Sequence, residues 1–461
     1  MIPLSSSLIQ LIEHLAHHGI KAIIVGGYVR DFLSGYSTED LDIELYGITS
    51  LDKLEALLSP FGKVGIYGKS FGILKLVFDG YSIDFSPPRT ESKYGTGHKG
   101  FEMAWHHEMD YASAARRRDF TINSIGYDPL TQTLIDPYGG IKDLKHKILR
   151  CVDPQTFIDD PLRVLRAVQF AARFELTCDD TLLSLCQSMI ADGSLEELPK
   201  ERIFEELKKL FIKSAHPSIG MKLLKEMGGL PFFTPLECFE HTPQDPLSHP
   251  EGSVWTHTLM ALDFMATLRS GEWRKDMVLM LSVLLHDIGK PVTTITINNV
   301  LNAPKHAEIG VNIARTWLNK ITEDKALIAS ILPLIYYHGW PRKFYRRKAS
   351  NSDILHLSTK VCIEDLILLS KADFFGRSFN EANPQTFDAG DWLYRCADTL
   401  NVLKKPPLPL LYGRDLIALG LTPSHRFKSI LDNAYKAQLD QVFETRTQAL
   451  EWLKKHLVTD L

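Results

Sequence analysis

Two carboxylates one residue apart restrict this chain more than any other feature. They lie near the end of the stretch VGGYVRDFLSGYSTEDLDIELYG, Val25 to Gly47. KAIIVGG reads as a buried strand ending in glycines, VRDFLSG as a short helix closed by Gly35, and LDIELYG as an alternating, half-exposed strand. On a strand, residues i and i+2 share a face, so Asp40 and Asp42 stand side by side while Leu41 and Ile43 turn to a core. Two ionised carboxylates this close repel unless a cation lies between them or one binds a proton. Mg²⁺ suits the place, because it takes a few carboxylate oxygens and completes its shell with water and phosphate. Gly26 and Gly27 let backbone N–H groups approach a triphosphate, and Arg30 can clamp it bidentately. Together these residues predict a site for in-line nucleotidyl transfer, with metal ions holding the attacking and leaving oxygens. A bare Asp-x-Asp would read as two exposed strand residues; glycines, arginine and aspartates in one strand, helix, strand unit favour chemistry.

Around this unit the pattern is mixed at first and then helical. Leu8, Leu11, Ile12 and Leu15 recur at helical spacing between Ser5 and His18. ILKLVF and YSIDFS predict two further strands of the same sheet, and the polar, glycine-rich stretch from Pro87 to Trp105 is expected to be a mobile loop. From Lys142 onward strand signals fade, and DDPLRVLRAVQFAARF, LLSLCQSMI and KERIFEELKKLFI are amphipathic helices. KKPPLPLL, Lys404 to Leu411, marks a boundary before a last helical segment. For 461 residues with 44% hydrophobic content, about three domains and several cores are expected. Six cysteines without paired spacing argue for a reducing compartment. With no apolar run of about 18 residues, and Glu13, His17 and His18 where a signal peptide would be apolar, a cytoplasmic protein without a membrane partner is expected. The net charge of -4 means that any nucleic-acid surface must be local.

GGYVRDFLSG and EDLDIELYG resemble the first motif of the class II tRNA nucleotidyltransferases, the CCA-adding enzymes and related bacterial poly(A) polymerases. RRRDFTINSIGYDPLTQTLIDPYGG resembles the family's Arg-Arg-Asp motif, with Arg117, Arg118 and Asp119 at the matching positions. The Asp directly after the arginines suggests an internally braced phosphate site. DDPLR resembles the Glu-Asp-x-x-Arg element, and PKERIFEELKKLF a later helix motif with Glu201 and Arg202. The resemblance implies an α+β fold: an N-terminal nucleotidyltransferase palm with a small mixed sheet, then a mostly helical neck and body, a helical HD domain and a helical tail. The expected segments are 1–143 for the head, 144–240 for a nucleotide-selecting and RNA-binding neck and body, 241–390 for the HD domain and 391–461 for the tail.

Asp160 and Arg163 are three apart, so at a helix start they can face one side. Asp accepts and Arg only donates, which is what an edge bearing an amino donor and ring acceptors requires. Cytosine and adenine offer that edge; uracil and guanine present a carbonyl in place of the amino group. The resemblance implies that this pair stands in for a template base, pairing with CTP and then ATP. Equally, Asp160 would make a good helix N-cap before Pro161. Two departures stand out: the family's acidic pair begins with Glu where this chain has Asp159, and its stripe of arginines runs on from Arg163 and Arg166 to a third where this chain has Gln169.

A second constellation follows: His257 in VWTHTLM, His286 and Asp287 in LLHDIGKP, His306 in PKHAEIG, His338 in YYHGWP and Asp373 in LSKADFFG. This order resembles the HD phosphohydrolase superfamily. His286 and Asp287 can lie at the inner end of one apolar helix, with His257 and Asp373 supplied by others. Mixed imidazole and carboxylate ligands suit Mn, Co, Ni, Fe or Zn better than Mg alone, and a metal-bound water would attack a phosphoester. His306 and His338 could bind phosphate or a second metal.

The basic clusters KDLKHKILR and RKFYRRK read either as RNA-facing surfaces, the second interleaving Phe344 and Tyr345 with cations, or as solvated helix and loop faces. The last segment resembles the family tail that helps hold the tRNA elbow. These readings predict an enzyme adding CCA to the tRNA 3′ end from CTP and ATP, joined to an HD phosphohydrolase. A poly(A) polymerase, an enzyme adding only CC or only A, or an HD phosphohydrolase with an RNA-binding N-terminal half are the alternatives.

Overall fold

A computed structural model describes residues 2–36, 40–67, 73–93, 101–105, 109–378 and 386–457. The chain divides into two compact units, Met1–Phe233 and Thr234–Leu461.

The larger strands of the first unit are β1 Lys21–Val25, β2 Asp40–Tyr46, β3 Val64–Tyr67, β4 Ile73–Phe78, β5 Tyr81–Ser86, β6 Arg89–Lys93, β7 Phe101–Trp105, β8 Gly126–Asp128 and β9 Thr133–Ile135, with a two-residue pair, Ile148–Leu149 and Thr177–Cys178, apart from them. Seven form one sheet in the order β3-β4-β5-β2-β1-β8-β9. Within that sheet only β2 and β5 pair in parallel, and that register sets Asp42 beside Asp84. Helices Ser6–His17 and Leu51–Leu58 bring Leu8, Leu11, Ile12, Leu15, Leu54 and Leu58 into the core that also takes Leu41 and Ile43 of β2. The first helix opens as expected, with the Ser5 hydroxyl accepting from Leu8 N at 3.2 Å.

The stretch from Pro87 to Trp105 corrects an expectation. Instead of a loop, β6 and β7 pair antiparallel as a hairpin from Arg89 opposite Trp105 to Lys93 opposite Phe101; residues 94–100 lie outside the described residues. Polar, glycine-rich composition does not prevent pairing in a two-stranded ribbon, where neither strand must face a core.

Beyond the sheet the unit is helical, through Gly140–Lys145, Leu162–Phe174, Asp180–Ala191, Lys200–Lys213 and Pro217–Glu226. The Asp136 carboxylate caps the first of these, accepting from Gly140 N at 2.7 Å and Ile141 N at 2.9 Å. The second unit is also largely helical. Its last helices, Gly413–Ala418, Arg426–Leu439 and Arg446–Leu457, enclose a small core with Leu416, Phe443 and Leu453. Among the described residues no helix is long and apolar enough to cross a membrane.

Gly140 packs so closely that a Cβ would sit 2.1 Å from the Thr121 carbonyl oxygen. Gly140→Ala is therefore expected to destabilise the first unit by about 1–3 kcal/mol, read as a lower Tm by circular dichroism. Gly139→Ala at its open neighbour is limited to backbone strain, because Gly139 has φ +75° with nothing near its Cβ position.

Candidate functional site

Along β2 the residues alternate as expected: Leu41 and Ile43 are buried, Asp40 and Asp42 exposed. The parallel neighbour adds a third carboxylate to this face, Asp84, whose Oδ1 lies 3.2 Å from Lys75 Nζ. Partial burial pushes the Asp42 carboxyl above its usual range; Arg118 opposes this, while Asp84 and Asp40 reinforce it. A concentration of negative charge with raised proton affinity is what a divalent cation relieves.

The next acid on this face, Glu44, has no exposed surface. Its Oε1 lies 3.2 Å from Arg117 Nη2, its Oε2 3.3 Å from Arg118 Nη2, and Tyr46 Oη donates to Oε2 at 3.2 Å. The brace expected from Asp119 is therefore supplied to the two arginines by Glu44. Asp119 turns elsewhere: Oδ1 accepts from Phe120 N and Asn123 Nδ2, both at 2.8 Å, and Oδ2 from Arg166 Nε at 2.6 Å. Burial alone would raise the Asp119 carboxyl, but Arg166 and the Asn123 amide outweigh it and hold it below its usual range.

Arg30 is buried rather than open to a ligand on all sides. Its Nε and Nη2 donate to Asp31 Oδ1 at 2.8 and 2.6 Å, and Nη1 donates to Asn123 Oδ1 at 2.5 Å. Its guanidinium lies over the rings of Phe170 and Phe174. Gly26, at φ +68°, turns the chain from β1 into the helix Gly27–Leu33 in a conformation that favours glycine, beside Asp42 and Arg118.

A cavity of about 410 Å³ gathers most of the predicted residues. Gly26, Gly27, Arg30, Asp42 and Arg118 line it together with Asp160, Arg163 and Arg166 from the start of the helix Leu162–Phe174. Asp40 and Arg117 are not in its wall. Arg202, from the helix Lys200–Lys213, adds a cation there and donates to Asp160 Oδ2 at 2.9 Å. Asp160 Oδ1 also accepts from Leu162 N at 3.1 Å, although the residue at the helix N-cap is Pro161, one place later than expected. Arg163 is held by the carbonyls of Thr156 at 2.7 Å and Arg117 at 2.6 Å. Gln169 is buried and outside the wall, so the missing third arginine leaves the lining intact.

In the second unit the six predicted residues converge from five places. His257 lies on the helix Val254–Thr267, and His286 and Asp287 follow the helix Trp273–Leu285. His306 opens the helix His306–Ile321, His338 follows Lys325–Tyr337, and Asp373 lies on Ile363–Phe375. The ligand atoms of His257, His286 and Asp373 lie within 4.8 Å of one another, as do those of Asp287, His306 and His338. Asp287 joins the groups: Oδ2 is 3.2 Å from His286 Nε2 and Oδ1 is 3.6 Å from His306 Nε2.

The second nitrogen of each imidazole explains the arrangement. Nδ1 of His286, His306 and His338 meets the carbonyl of Val283, Ala303 and Ile335, each at 2.7 Å. A carbonyl only accepts, so each Nδ1 carries a proton and Nε2 is the nitrogen that faces the cluster; the Nε2 atoms of His306 and His338 lie 3.2 Å apart. His257 Nε2, His286 Nε2 and Asp287 Oδ1 are buried with no hydrogen bond, while Asp287 Oδ2 lies 2.7 Å from the Lys290 ammonium. Buried lone pairs without a donor are the condition a divalent cation satisfies, so these residues fit one. Burial pushes the His338 imidazole down to about 3, with His286 and His306 adding to the effect.

The adjoining cavity, about 530 Å³, is lined by Asp287, His306, His338 and Asp373 and by the cations Lys290, Arg342, Lys343, Arg346, Arg347 and Arg377. This bears on the two readings of RKFYRRK: Tyr345 is exposed, whereas its neighbour Phe344 is not. Four of its cations face this cavity, and Phe344 is only 1% exposed and cannot stack on a base. The helix Trp340–Arg347 follows directly on His338, which brings its charges to the cluster. In the other basic stretch Arg150 pairs with Asp143 and Asp179, and Lys147 Nζ donates to the Phe174 carbonyl.

Three family models match the chain: Poly A polymerase head domain over 22–150, Probable RNA and SrmB- binding site of polymerase A over 179–236, and HD domain over 254–373. The Multifunctional CCA protein of Nitrosococcus oceani is 31% identical over 373 residues, 79% of this chain and 87% of that relative. The chain belongs to the multifunctional CCA protein family. A second member, from Alkalilimnicola ehrlichii, is 30% identical over 79% of this chain and 86% of its own. The fold agrees with that of a Bacillus stearothermophilus CCA-adding enzyme in complex with CTP, at TM-score 0.68 and 20% identity over 100% of this chain and 99% of the other. A Thermotoga maritima CCA-adding enzyme complexed with tRNA gives TM-score 0.59 at 20% identity, over 98% and 96%.

Glu44, Asp84 and Arg202 in the first unit, and Lys290, Arg342 and Arg377 in the second, complete sites that sequence reasoning had only outlined. Glu44→Ala leaves two arginines without their shared buried anion. It is expected to cost about 3 kcal/mol, measured by chemical denaturation, and to raise the KM for nucleotide more than it lowers kcat.

Proposed function

We propose that the chain is a tRNA nucleotidyltransferase that adds C, C and A to tRNA 3′ ends from CTP and ATP without a nucleic-acid template, and that its HD unit is a metal-dependent phosphohydrolase. The observation that carries the reading is the single cavity in which Asp42 and Arg118 meet Asp160 and Arg163, in a chain of this family. In the proposed division, 1–143 performs transfer, 144–240 selects the nucleotide and contacts RNA, 241–390 is the HD domain and 391–461 contacts tRNA. The reading puts the protein in the cytoplasm.

Asp40, Asp42 and Asp84 would hold Mg²⁺, which when bound neutralises the triphosphate and lowers the pKa of the attacking 3′-hydroxyl. Arg118 and Arg166 meet the phosphates from guanidinium groups already fixed by Glu44 and Asp119, so little is spent on ordering them. Selection follows from the donors and acceptors left over. Arg163 uses two of its five N–H groups on the Thr156 and Arg117 carbonyls. The rest can donate to ring acceptors of cytosine or adenine. Asp160, fixed by Leu162 N and Arg202, retains lone pairs for the exocyclic amino group. Uracil or guanine would set a carbonyl against that carboxylate, and such a mismatch discriminates strongly.

In the HD unit His257, His286, Asp287 and Asp373 would hold a divalent ion of the Mn, Co, Ni, Fe or Zn class, which supplies a water acidic enough to attack phosphorus. His306 and His338 hold phosphate or a second ion. The cations of the wall draw the phosphoester in and offset its charge.

A second reading, poly(A) polymerase, is favoured by the names of the head and RNA-binding models. Incubating the protein with tRNA lacking its 3′ end and each labelled NTP separates them: two CTP and then one ATP are expected, whereas long A tails would establish the second. Asp42→Ala is expected to lower transfer by about a thousandfold or more while leaving hydrolysis of a chromogenic phosphomonoester unchanged; Asp287→Ala does the reverse. Arg163→Ala is expected to lower the preference for CTP and ATP over UTP and GTP by about 10²-fold. Unchanged selectivity in that variant would remove the protein-template role.

A further inference from the structure

Four imidazoles converge on the HD cluster, and three are oriented by their own backbone. His257 is the exception. Its Nδ1 lies 2.8 Å from Oε1 of Glu251, a carboxylate with almost no exposed surface. The same oxygen is 2.9 Å from Nδ1 of His249, which also lines the cavity. The other carboxylate oxygen accepts from Ser378 N at 3.3 Å, which ties the loop before the Val254–Thr267 helix to the residues just after Asp373. A carboxylate flanked by two imidazole nitrogens accepts from both, so both Nδ1 atoms carry protons. His257 Nε2 is then an inward lone pair, 3.2 Å from Asp373 Oδ1 and without a hydrogen bond.

We propose that Glu251 is the positioning residue of the HD centre, fixing the tautomer and ring orientation of His257 so that Nε2 meets a divalent cation together with His286 and Asp373. This rests on the reading of that cluster as a metal centre. A charged acceptor makes His257 a more basic ligand than a backbone carbonyl would, and the shared oxygen holds His249 at the cavity wall in the same tautomer. The Ser378 contact ties the carboxylate to the chain just beyond Asp373, whose own carboxylate accepts from Arg377 Nη2 at 2.9 Å.

The test is titration of the full-length metal-free protein with Co²⁺ alone, followed by visible absorption, which nitrogen ligation intensifies. Glu251→Ala is expected to weaken Co²⁺ binding by about 10–100-fold and alter the spectrum, with Glu251→Gln, which keeps an acceptor oxygen but no charge, falling between. Nucleotidyl transfer at the wild-type rate in both variants serves as the control for folding, and the isosteric Gln variant decides the matter if the Ala variant does not fold. Wild-type Co²⁺ affinity and spectrum in Glu251→Gln and Glu251→Ala would overturn the role of Glu251 alone. Absence of a nitrogen-type Co²⁺ spectrum in the wild type, or its survival in Asp287→Ala, would instead overturn the metal-centre reading and the proposal with it.

Discussion

Arg166, Asp119, Asn123, Arg30, Asp31 and Arg173 form one chain of hydrogen bonds that leaves the helix Leu162–Phe174 and returns to it two turns later. Arg30, Asp31 and Asp119 are buried and the two end arginines partly so, and each is matched by the next. Buried charges are tolerated only when paired and hydrogen-bonded, so the circuit works as a unit: losing one member strands its neighbours. It ties the helix that carries Asp160 and Arg163 to the glycine turn beside Asp42. Asp160 and Arg163 thereby acquire a fixed relation to the carboxylates of β2, through side chains rather than loop backbone.

The HD unit solves the same problem by different means. Its ligands come from five places in the chain, and each imidazole is held by a partner within a few residues. A backbone carbonyl one helical turn back orients three of them, which requires only that the histidine sit at or near a helix end. Acceptor oxygens outside and lone pairs inside leave a centre whose electrostatics call for a cation, surrounded by a cationic wall that calls for an anion. A phosphoester and a metal ion meet both requirements.

What could be read beforehand was local. The first helix, β2 and the helix of Asp160 declare themselves by spacing, because each buries one face. Glu44 was legible in principle as the third acid in a period of two, although composition alone does not say that it is buried under two arginines. Asp84 was not legible, because its place depends on β5 pairing in parallel beside β2, a contact that no periodicity encodes. The part that the basic stretch after His338 plays in the second cavity was not legible, because charge does not reveal which way a helix faces. The hairpin from Arg89 to Trp105 was missed because two-stranded ribbons need no apolar alternation. Glu251 escaped notice because nothing in its type or spacing separates it from an exposed acid.

The one parallel pair in an otherwise antiparallel sheet has a kinetic consequence. A hairpin turn cannot join parallel neighbours, so the chain leaves β2, passes through the helix Leu51–Leu58 and the β3 and β4 strands, and only then lays β5 alongside. Asp42 and Asp84 are thus brought together by a loop closure that must precede any reward from their shared cation. A nascent chain holding β2 but not β5 therefore carries Asp40 and Asp42 without the third carboxylate of that face.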